Sequence, residues 1–169
     1  MNALDLFDVH RDPFAPKALH PAIDPDARSW ALTIPGEPVA KGRARTVRIK
    51  TKSGKDFVST YTPKKTVAYE DTIRYFAQRE WNRELLAGVP IFARIIAYRS
   101  IPTSLSKGKR EDAIAGRMRP IVKPDWDNYG KTVSDAFQDI VYANDSAIVD
   151  AWVSKYYALV PRMEIKLSW

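Results

Sequence analysis

The chain has 169 residues, which fits a single domain, and its formal net charge of +7 suggests a polyanionic partner. It contains no cysteine, which excludes disulfide bonds, thiolate metal sites and cysteine nucleophiles and fits a cytoplasmic protein. No apolar run approaches the roughly 20 residues that span a bilayer, so no membrane association is expected. Because His10 and His20 lie near the N-terminus, chemistry elsewhere must come from carboxylates, lysines or water.

The N-terminal segment differs in composition from the rest of the chain. Residues 1–28 are rich in Pro and Asp and predict an irregular arm, which precedes one domain over residues 29–169. Residues 30–35 then alternate apolar and polar side chains and predict a strand, which the Pro35-Gly36 pair ends.

A basic segment follows this strand. Residues 41–55 contain seven basic side chains and no acidic one. A turn at residues 52–55 and a return strand over residues 57–61 predict a short hairpin. Its positive charge favours contacts with phosphate groups, although a solvated loop is the more ordinary interpretation of such a charge run.

Thr62 and Pro63 mark the start of the first predicted helix, which runs over residues 63–86. Thr62 can act as the N-cap residue, and Pro63 suits the first helical position because its missing N–H would have no partner there. Gly88 and Pro90 end the helix. Helical spacing predicts a buried face made of Val67, Tyr69, Ile73, Phe76 and Leu85.

The middle of the chain predicts a buried strand and then a long connection. Residues 91–98 are strongly apolar and predict a central strand. Residues 100–123 predict a loop with one helical turn at residues 111–116. A connection of this length in a compact domain usually indicates function or disorder.

The C-terminal third predicts a second helix and two further strands. The helix runs over residues 127–139 with Asp127 as its N-cap, and the strands over residues 147–157 and 162–168. With the earlier elements, they predict an α+β fold in which helices pack on a small mixed β-sheet. The predicted buried face of the second helix comprises Tyr129, Val133, Ala136, Phe137 and Ile140.

Six aspartates lie between residues 125 and 150, together with a single lysine, in a chain that is basic elsewhere. Asp125 and Asp127 are two residues apart and point the same way in an extended lead-in to the helix. Two such carboxylates repel each other unless a cation lies between them, and Mg²⁺ prefers hard oxygen ligands. Helical spacing places Asp127, Lys131 and Asp135 on one face, which predicts that Lys131 lies beside the metal and contacts phosphate.

Simpler interpretations of the same residues remain open. An aspartate near a helix N-terminus usually only caps the helix. Asp127 and Lys131 have the spacing of an ordinary surface ion pair, which is worth about 0.3–0.5 kcal/mol. Asn144 and Asp145 are typical of a turn. Spacing alone therefore leaves the metal site as one of several interpretations.

The same residues, in this order, resemble the signature of the RusA family of Holliday-junction-resolving endodeoxyribonucleases. The matching acidic motif is Lys-Pro-Asp-Trp-Asp-Asn-Tyr-Gly-Lys over residues 123–131, followed by residues 135–136 and 144–145. A second block, over residues 34–45, resembles the basic motif of phage and prophage members, and residues 61–66 resemble the helix start that follows it.

The resemblance implies three metal-binding catalytic aspartates, Asp125, Asp127 and Asp145, and a catalytic lysine, Lys131. It also implies dependence on Mg²⁺ or Mn²⁺, a homodimer, and paired cuts in four-way DNA junctions. Such a protein would be encoded by a bacterium or phage and act in DNA recombination and repair. The residues expected to orient the site are Asn128, Asp135 and Asn144.

The chain departs from the family signature at three positions. Asn144 replaces the first of two paired acids, Ala147 replaces a glutamine, and Phe137 replaces a leucine. Because asparagine brings no charge, metal affinity would be lower, which leaves open a branched-DNA-binding protein of the same fold that has lost cleavage. A non-enzymatic basic DNA-binding module is the other alternative. The acidic cluster argues against it, because aspartates repel phosphate unless a metal intervenes.

Basic side chains in two segments are the predicted contacts with the DNA backbone. One segment is the hairpin, and the other is the long connection before the acidic motif. The candidate residues are Lys41, Arg43, Arg45, Arg48, Lys50, Lys107, Lys109, Arg110, Arg117, Arg119 and Lys123.

Overall fold

The computed structural model describes residues 28–50 and 56–169. In this part of the chain, three α-helices accompany a four-stranded sheet and a separate two-stranded ribbon. A short 3₁₀ helix, Asp145–Ala147, precedes the fifth strand. The elements in chain order are β1 (Ser29–Pro35), β2 (Arg45–Lys50), β3 (Asp56–Tyr61), α1 (Lys64–Glu80), β4 (Ile91–Ser100), α2 (Lys107–Ile114), α3 (Trp126–Phe137), β5 (Ile148–Ala158) and β6 (Arg162–Ser168).

The four-stranded sheet is mixed and has the strand order β1-β6-β4-β5. Strand β6 pairs antiparallel with both β1 and β4, whereas β4 and β5 are parallel. Parallel neighbours require a long crossover connection, and here α2 and α3 lie between them in sequence. The predicted α+β fold with a small mixed sheet is confirmed, and so is the internal position of the strand predicted over residues 91–98.

One face of the sheet supplies the core. Along β4, Ile91, Ala93, Ile95 and Ala97 are buried and alternate with more exposed residues, which is typical of a strand with one covered face. Buried residues of α1 and α3 belong to the same hydrophobic cluster as these side chains. Aromatic contacts within the core join Trp30, Trp81, Phe137 and Trp169.

Helix α1 is shorter than predicted. Its N-cap residue is Pro63 rather than Thr62, and its last residue is Glu80 rather than residue 86. Trp81 leaves the helix with an extended backbone (φ −88°, ψ 94°) and is only 7% exposed. Burial of this large indole in the core favours the exit over another helical turn.

The predicted buried face of α1 is partly wrong. Tyr69 and Ile73 are buried and Phe76 packs against the core, but Val67 and Leu85 are 39% and 43% exposed. Leu85 lies beyond the end of the helix, so helical spacing does not apply to it. Val67 precedes Ile73 by six residues, which rotates it by about 240° around the helix and away from the core.

The long connection contains more helix than predicted. Helix α2 covers Lys107–Ile114, whereas only a turn at residues 111–116 was expected. Ala113 is fully buried and belongs to a small second cluster with Ile101 and Tyr157. This tertiary contact stabilises a helix whose own sequence gives only a weak signal.

The acidic motif leads into α3, which begins at Trp126 and ends at Phe137, within two residues of its predicted bounds. Its predicted buried face is confirmed. Tyr129, Val133 and Ala136 lie in the core together with Phe137, and Ile140 packs against it.

The predicted hairpin is present as the antiparallel pair of β2 and β3, which we call the ribbon. Its turn at residues 52–55, and the predicted arm up to residue 27, lie outside the described residues. Within the described chain, neither ribbon strand packs extensively on another helix or strand. None of the described helices combines the length and apolarity needed to cross a lipid bilayer.

Candidate functional site

Helix α3 begins within the acidic motif. Asp125 is its N-cap residue, with an extended backbone (φ −70°, ψ 153°), and its side chain makes no capping hydrogen bond. Asp127 lies in the first turn, so the prediction that Asp127 is the N-cap is wrong. The helix starts at Trp126 because the extended backbone that an N-cap residue adopts ends at Asp125. Both carboxylates are exposed, which leaves them accessible to a cation.

Gly130 allows α3 to approach the sheet closely. A Cβ atom at this position would lie 3.2 Å from Val153 Cγ2 on β5, which is tighter than an ordinary van der Waals contact. A larger residue would therefore push the helix away from β5. The glycine of the acidic motif thus sets the spacing between α3 and the edge of the sheet.

An open crevice of about 380 Å³ lies between α3 and the sheet. Asp127, Lys131 and Ser134 reach it from α3, and Asp145 reaches it from the 3₁₀ helix before β5. The structure thus brings three of the four proposed catalytic residues to one place. The remaining lining is largely apolar and includes Ala93, Ile95, Trp126, Gly130, Val133, Phe137, Tyr142, Ile148, Ala151, Val153 and Leu167.

A short turn carries Asp145 to the crevice. Asn144 is the N-cap residue of the 3₁₀ helix, and its Oδ1 accepts a hydrogen bond of 2.8 Å from Ser146 N. The Ser134 hydroxyl donates to Asp145 Oδ2 at 3.0 Å, which ties the turn to α3. Sequence analysis missed Ser134, although its place three residues after Lys131 puts both on one side of the helix.

The Asp127 carboxylate has a hydrogen-bond partner in α3 itself. Asn128 Nδ2 donates to Asp127 Oδ1 at 3.3 Å, a contact compatible with the orienting role expected for Asn128. The backbone oxygen of Asn128 accepts a hydrogen bond of 2.8 Å from Lys41 N. The first turn of α3 is therefore anchored to the chain segment that enters the ribbon.

Two carboxylates, those of Asp127 and Asp145, line the crevice as candidate metal ligands. Within residues 28–50 and 56–169, no three His, Cys, Asp or Glu side chains form a group suited to hold one. Asp125 lies at the helix entrance, and the crevice lining contains Asp127 and Asp145 but not Asp125. Two exposed carboxylates still fit Mg²⁺, which keeps several waters and often takes only one or two protein carboxylates beside phosphate oxygens.

Asp135 does not share the crevice, which corrects the predicted common face of Asp127, Lys131 and Asp135. Its Oδ2 lies 2.5 Å from Lys41 Nζ, on the side of α3 that faces α1. Successive steps of four residues drift by about 40° each around a helix, so eight residues turn a side chain by about 80°. Asp135 therefore belongs to the contact between the helices.

Lys41 lies between two carboxylates. Its Nζ is 2.6 Å from Glu70 Oε1 and 2.5 Å from Asp135 Oδ2, and the Glu70 side chain is only 7% exposed. Burial alone would lower the pKa of Lys41, but hydrogen bonds and ionic contacts with Asp135 and Glu70 outweigh it and raise the pKa. Its ammonium group is engaged within the protein, so we do not retain Lys41 as a phosphate contact.

The other predicted DNA-binding residues fall into two groups. On the ribbon and the segment before it, Arg43 and Arg45 are exposed, Arg48 lies 3.9 Å from Asp56, and Lys50 ends β2. The second group lies on α2 and the connection to α3. Within it, Lys107, Lys109 and Lys123 are exposed, Arg110 is half-buried, Arg117 pairs with Asp112, and Arg119 covers the Tyr156 ring.

Two comparisons with known proteins show what the chain is similar to. A family model described as Endodeoxyribonuclease RusA matches residues 35–168, which include every residue of the crevice. The chain is also 37% identical, over 138 residues, to a Bacillus subtilis (strain 168) protein named Uncharacterized protein YqaN. That alignment covers 80% of this chain and 93% of the relative.

Replacing Lys41 with Met should destabilise the protein, because buried Glu70 would lose its charged hydrogen bond. The free energy of unfolding should fall by about 1–3 kcal/mol, measured by urea denaturation with tryptophan fluorescence. Lys65→Met, at an exposed position of α1, serves as the control and should change stability by less than about 0.5 kcal/mol. Equal stability of the two variants would contradict the role of Lys41.

The Lys41 contribution should also depend on pH. Folding raises the pKa of this lysine above its ordinary value of 10.5, so the folded state binds the proton more tightly. The contribution of Lys41 to the free energy of unfolding is therefore complete at pH values below its ordinary pKa. It is lost as the pH rises through the raised pKa. The stability difference between wild type and Lys41→Met should be constant near neutrality and shrink only in the alkaline range.

Proposed function

Because the chain belongs to the RusA family of endodeoxyribonucleases, we propose that it cuts four-way DNA junctions and related branched DNA by Mg²⁺-dependent hydrolysis of phosphodiester bonds. Mn²⁺ is the expected substitute for Mg²⁺. The observation that carries the proposal is the shared crevice of Asp127, Lys131 and Asp145. In this open crevice, the negative Asp127 and Asp145 lie close to the positive Lys131, where a DNA backbone could reach them.

Asp127 and Asp145, with Asp125 at the helix entrance, are the residues that would hold the cation. Mg²⁺, when bound, supplies positive charge at the scissile phosphate and a more acidic water. Asn128 orients the Asp127 carboxylate, and Ser134 orients that of Asp145. These bonds restrict the carboxylates to the crevice side before DNA arrives, which reduces the reorganisation needed on binding.

Lys131 is proposed to contact the reacting phosphate. It lies one helical turn after Asp127 and lines the same crevice. Its ammonium group carries three donors on a flexible stem. It can therefore neutralise charge that develops on the phosphate oxygens in the transition state.

The ribbon is proposed to hold the DNA backbone beside the crevice. Lys41 N donates to Asn128 O in the first turn of α3, and the exposed Arg43 and Arg45 follow immediately. DNA bound by these guanidinium groups would therefore lie near the start of α3. Arginine suits this role because its planar group can donate two hydrogen bonds to one phosphate.

A homodimer is part of the proposal. A four-way junction contains two scissile strands related by approximate twofold symmetry. A twofold dimer would present two crevices in the matching arrangement, and paired cuts would follow.

The alternative of a binding protein that has lost cleavage was motivated by Asn144. Asn144 Oδ1 accepts a hydrogen bond from Ser146 N, and Asn144 does not contribute to the crevice lining. Its amide oxygen therefore serves the turn that presents Asp145. Since an aspartate there would serve the same turn, the loss of its charge is a weak reason to expect lost activity, and we favour the active enzyme.

Asp127→Asn should abolish cleavage of a labelled four-way junction, because it removes a ligand charge with little change of shape. Junction binding, measured by fluorescence anisotropy in EDTA, should be largely retained. Asp71→Asn, at an exposed position of α1, is the matched control and should cut normally. Cleavage by Asp127→Asn at a near-normal rate in Mg²⁺ would remove Asp127 from the active site.

Lys131→Ala distinguishes a catalytic lysine from a surface one. If Lys131 stabilises charge in the transition state, the single-turnover rate at saturating protein should fall by about 10²–10³-fold. Lys131→Arg should recover only part of this loss, because a broad planar group does not occupy the place of a compact ammonium. A folded Lys131→Ala protein that cuts within a few-fold of wild type would identify Lys131 as a solvated surface side chain instead.

Replacing Arg43 and Arg45 together with Ala should weaken binding to all DNA. Each lost phosphate contact should reduce the slope of log affinity against log salt by about one unit. Arg79→Ala combined with Arg83→Ala removes the same charge at exposed positions far along the chain from the ribbon and should leave the slope unchanged. Identical slopes for both double variants and wild type would identify Arg43 and Arg45 as solvated side chains.

A further inference from the structure

Three successive backbone carbonyl groups immediately before Asp125 are held by two cationic side chains. Lys155 Nζ donates to Val122 O at 3.1 Å and to Pro124 O at 2.9 Å. Arg99 Nη1 donates to Lys123 O, between them, at 3.0 Å. The lead-in to the acidic motif is therefore bound to the sheet at each of these residues.

The two cations come from neighbouring strands. Lys155 on β5 pairs in register with Ala97 on β4, and Arg99 lies two residues after Ala97. Residues two apart on a strand share a face, so Arg99 and Lys155 project from the same side of the sheet. One side chain from each of two neighbouring strands therefore reaches the backbone of residues 122–124.

Arg99 is itself held by a carboxylate. Glu37 Oε1 lies 3.6 Å from Arg99 Nε, and Glu37 Oε2 accepts a hydrogen bond of 2.9 Å from Ser100 N. This connects the turn after β1 with the lead-in of α3. Arg99 Nε makes no hydrogen bond within the described part of the chain, so this ion pair restrains the guanidinium group by charge alone.

The position of Asp125 depends on how the backbone before it is held, more than on contacts of its own side chain. It caps α3 without a capping hydrogen bond, and the preceding residues 121–123 are exposed and lie outside regular structure. The path of the chain before Asp125 is thus fixed from outside, by charged donors whose hydrogen bonds to carbonyls are stronger than neutral ones.

We propose that Lys155 and Arg99 are positioning residues that fix residues 122–124 and thereby place the Asp125 carboxylate for cation binding. The inference rests on the proposed function, because it gives Asp125 the role of a ligand. Residues that orient ligands from outside typically change metal affinity or activity by about tenfold to 100-fold when removed. Loss of the Lys155 or Arg99 side chain should therefore move Asp125 and weaken metal-ion binding without removing a ligand.

The test compares Lys155→Met, Lys155→Arg and Arg99→Met with Lys166→Met. Lys166 is an exposed lysine of β6 whose strand position places it on the opposite face of the sheet from Lys155, so it is the matched control. Three quantities are measured on folded protein. They are hydrogen exchange of the peptide over residues 121–127, Mn²⁺ affinity without DNA by electron paramagnetic resonance, and junction affinity in EDTA.

We expect faster exchange and about tenfold to 100-fold weaker Mn²⁺ binding in Lys155→Met and Arg99→Met, with junction affinity retained. Lys155→Arg should recover much of the slow hydrogen exchange and of the Mn²⁺ affinity. Lys166→Met should match wild type in all three quantities. Unchanged exchange in both Met variants would overturn the proposal, and so would a loss confined to junction affinity, which would make Lys155 a DNA contact. Failure of wild type to cleave any branched DNA would sink the proposed function alone, because exchange and Mn²⁺ affinity are measured without cleavage.

Discussion

Lys41 binds one carboxylate from each of the two helices that cover the sheet, and the orientation of the site depends on this contact. Glu70 of α1 is almost completely buried, and a buried carboxylate is costly unless a cation and hydrogen bonds accompany it. The same lysine binds Asp135 of α3, while its backbone N–H binds the first turn of that helix. Because Lys41 fixes α3 at two points along its length, it also fixes the direction in which Asp127 and Lys131 project.

The sheet completes this arrangement from the other side. Gly130 lets α3 lie close to β5, and Lys155 on the same strand holds the chain before the helix. Asp145 arrives from the turn that starts β5. Strand β5 and the turn before it therefore contact the site from one side, and α3 supplies the rest. Asp127 and Lys131 lie on a regular helix, which favours a reproducible geometry for these two side chains.

The sequence predicted the strands and the interior of the helices well, because a period of two or of 3.6 residues is visible in the order of apolar side chains. It did not predict the early end of α1, which depends on where the Trp81 indole finds space in the core. The full extent of α2 was missed for a similar reason. Ala113 gives no local signal, and its burial depends on Ile101 and Tyr157 from distant parts of the chain.

The candidate site was recognised from the acidic motif and its resemblance to a family. The residues that hold the site in place were not recognised. Asp135 was assigned to the wrong face because small angular errors accumulate along a helix. Lys41 was counted with the DNA-binding cations because its two partners, Glu70 and Asp135, are far from it in sequence. Lys155 looks like an ordinary polar residue of a strand, and only the register with β4 shows that it faces the acidic lead-in.

The ribbon has a consequence for how such proteins can diversify. Its two ends leave the domain at the same point, where Gly42 N donates to the Thr66 hydroxyl at 3.1 Å. The chain can therefore gain or lose residues there without altering the path of any other element, and doubling a loop costs only about 0.6 kcal/mol in closure entropy. The length and charge of the ribbon can therefore vary, by selection or by design, while helix α3 keeps its place in the fold. A ribbon of different length would leave the crevice of Asp127, Lys131 and Asp145 as it is.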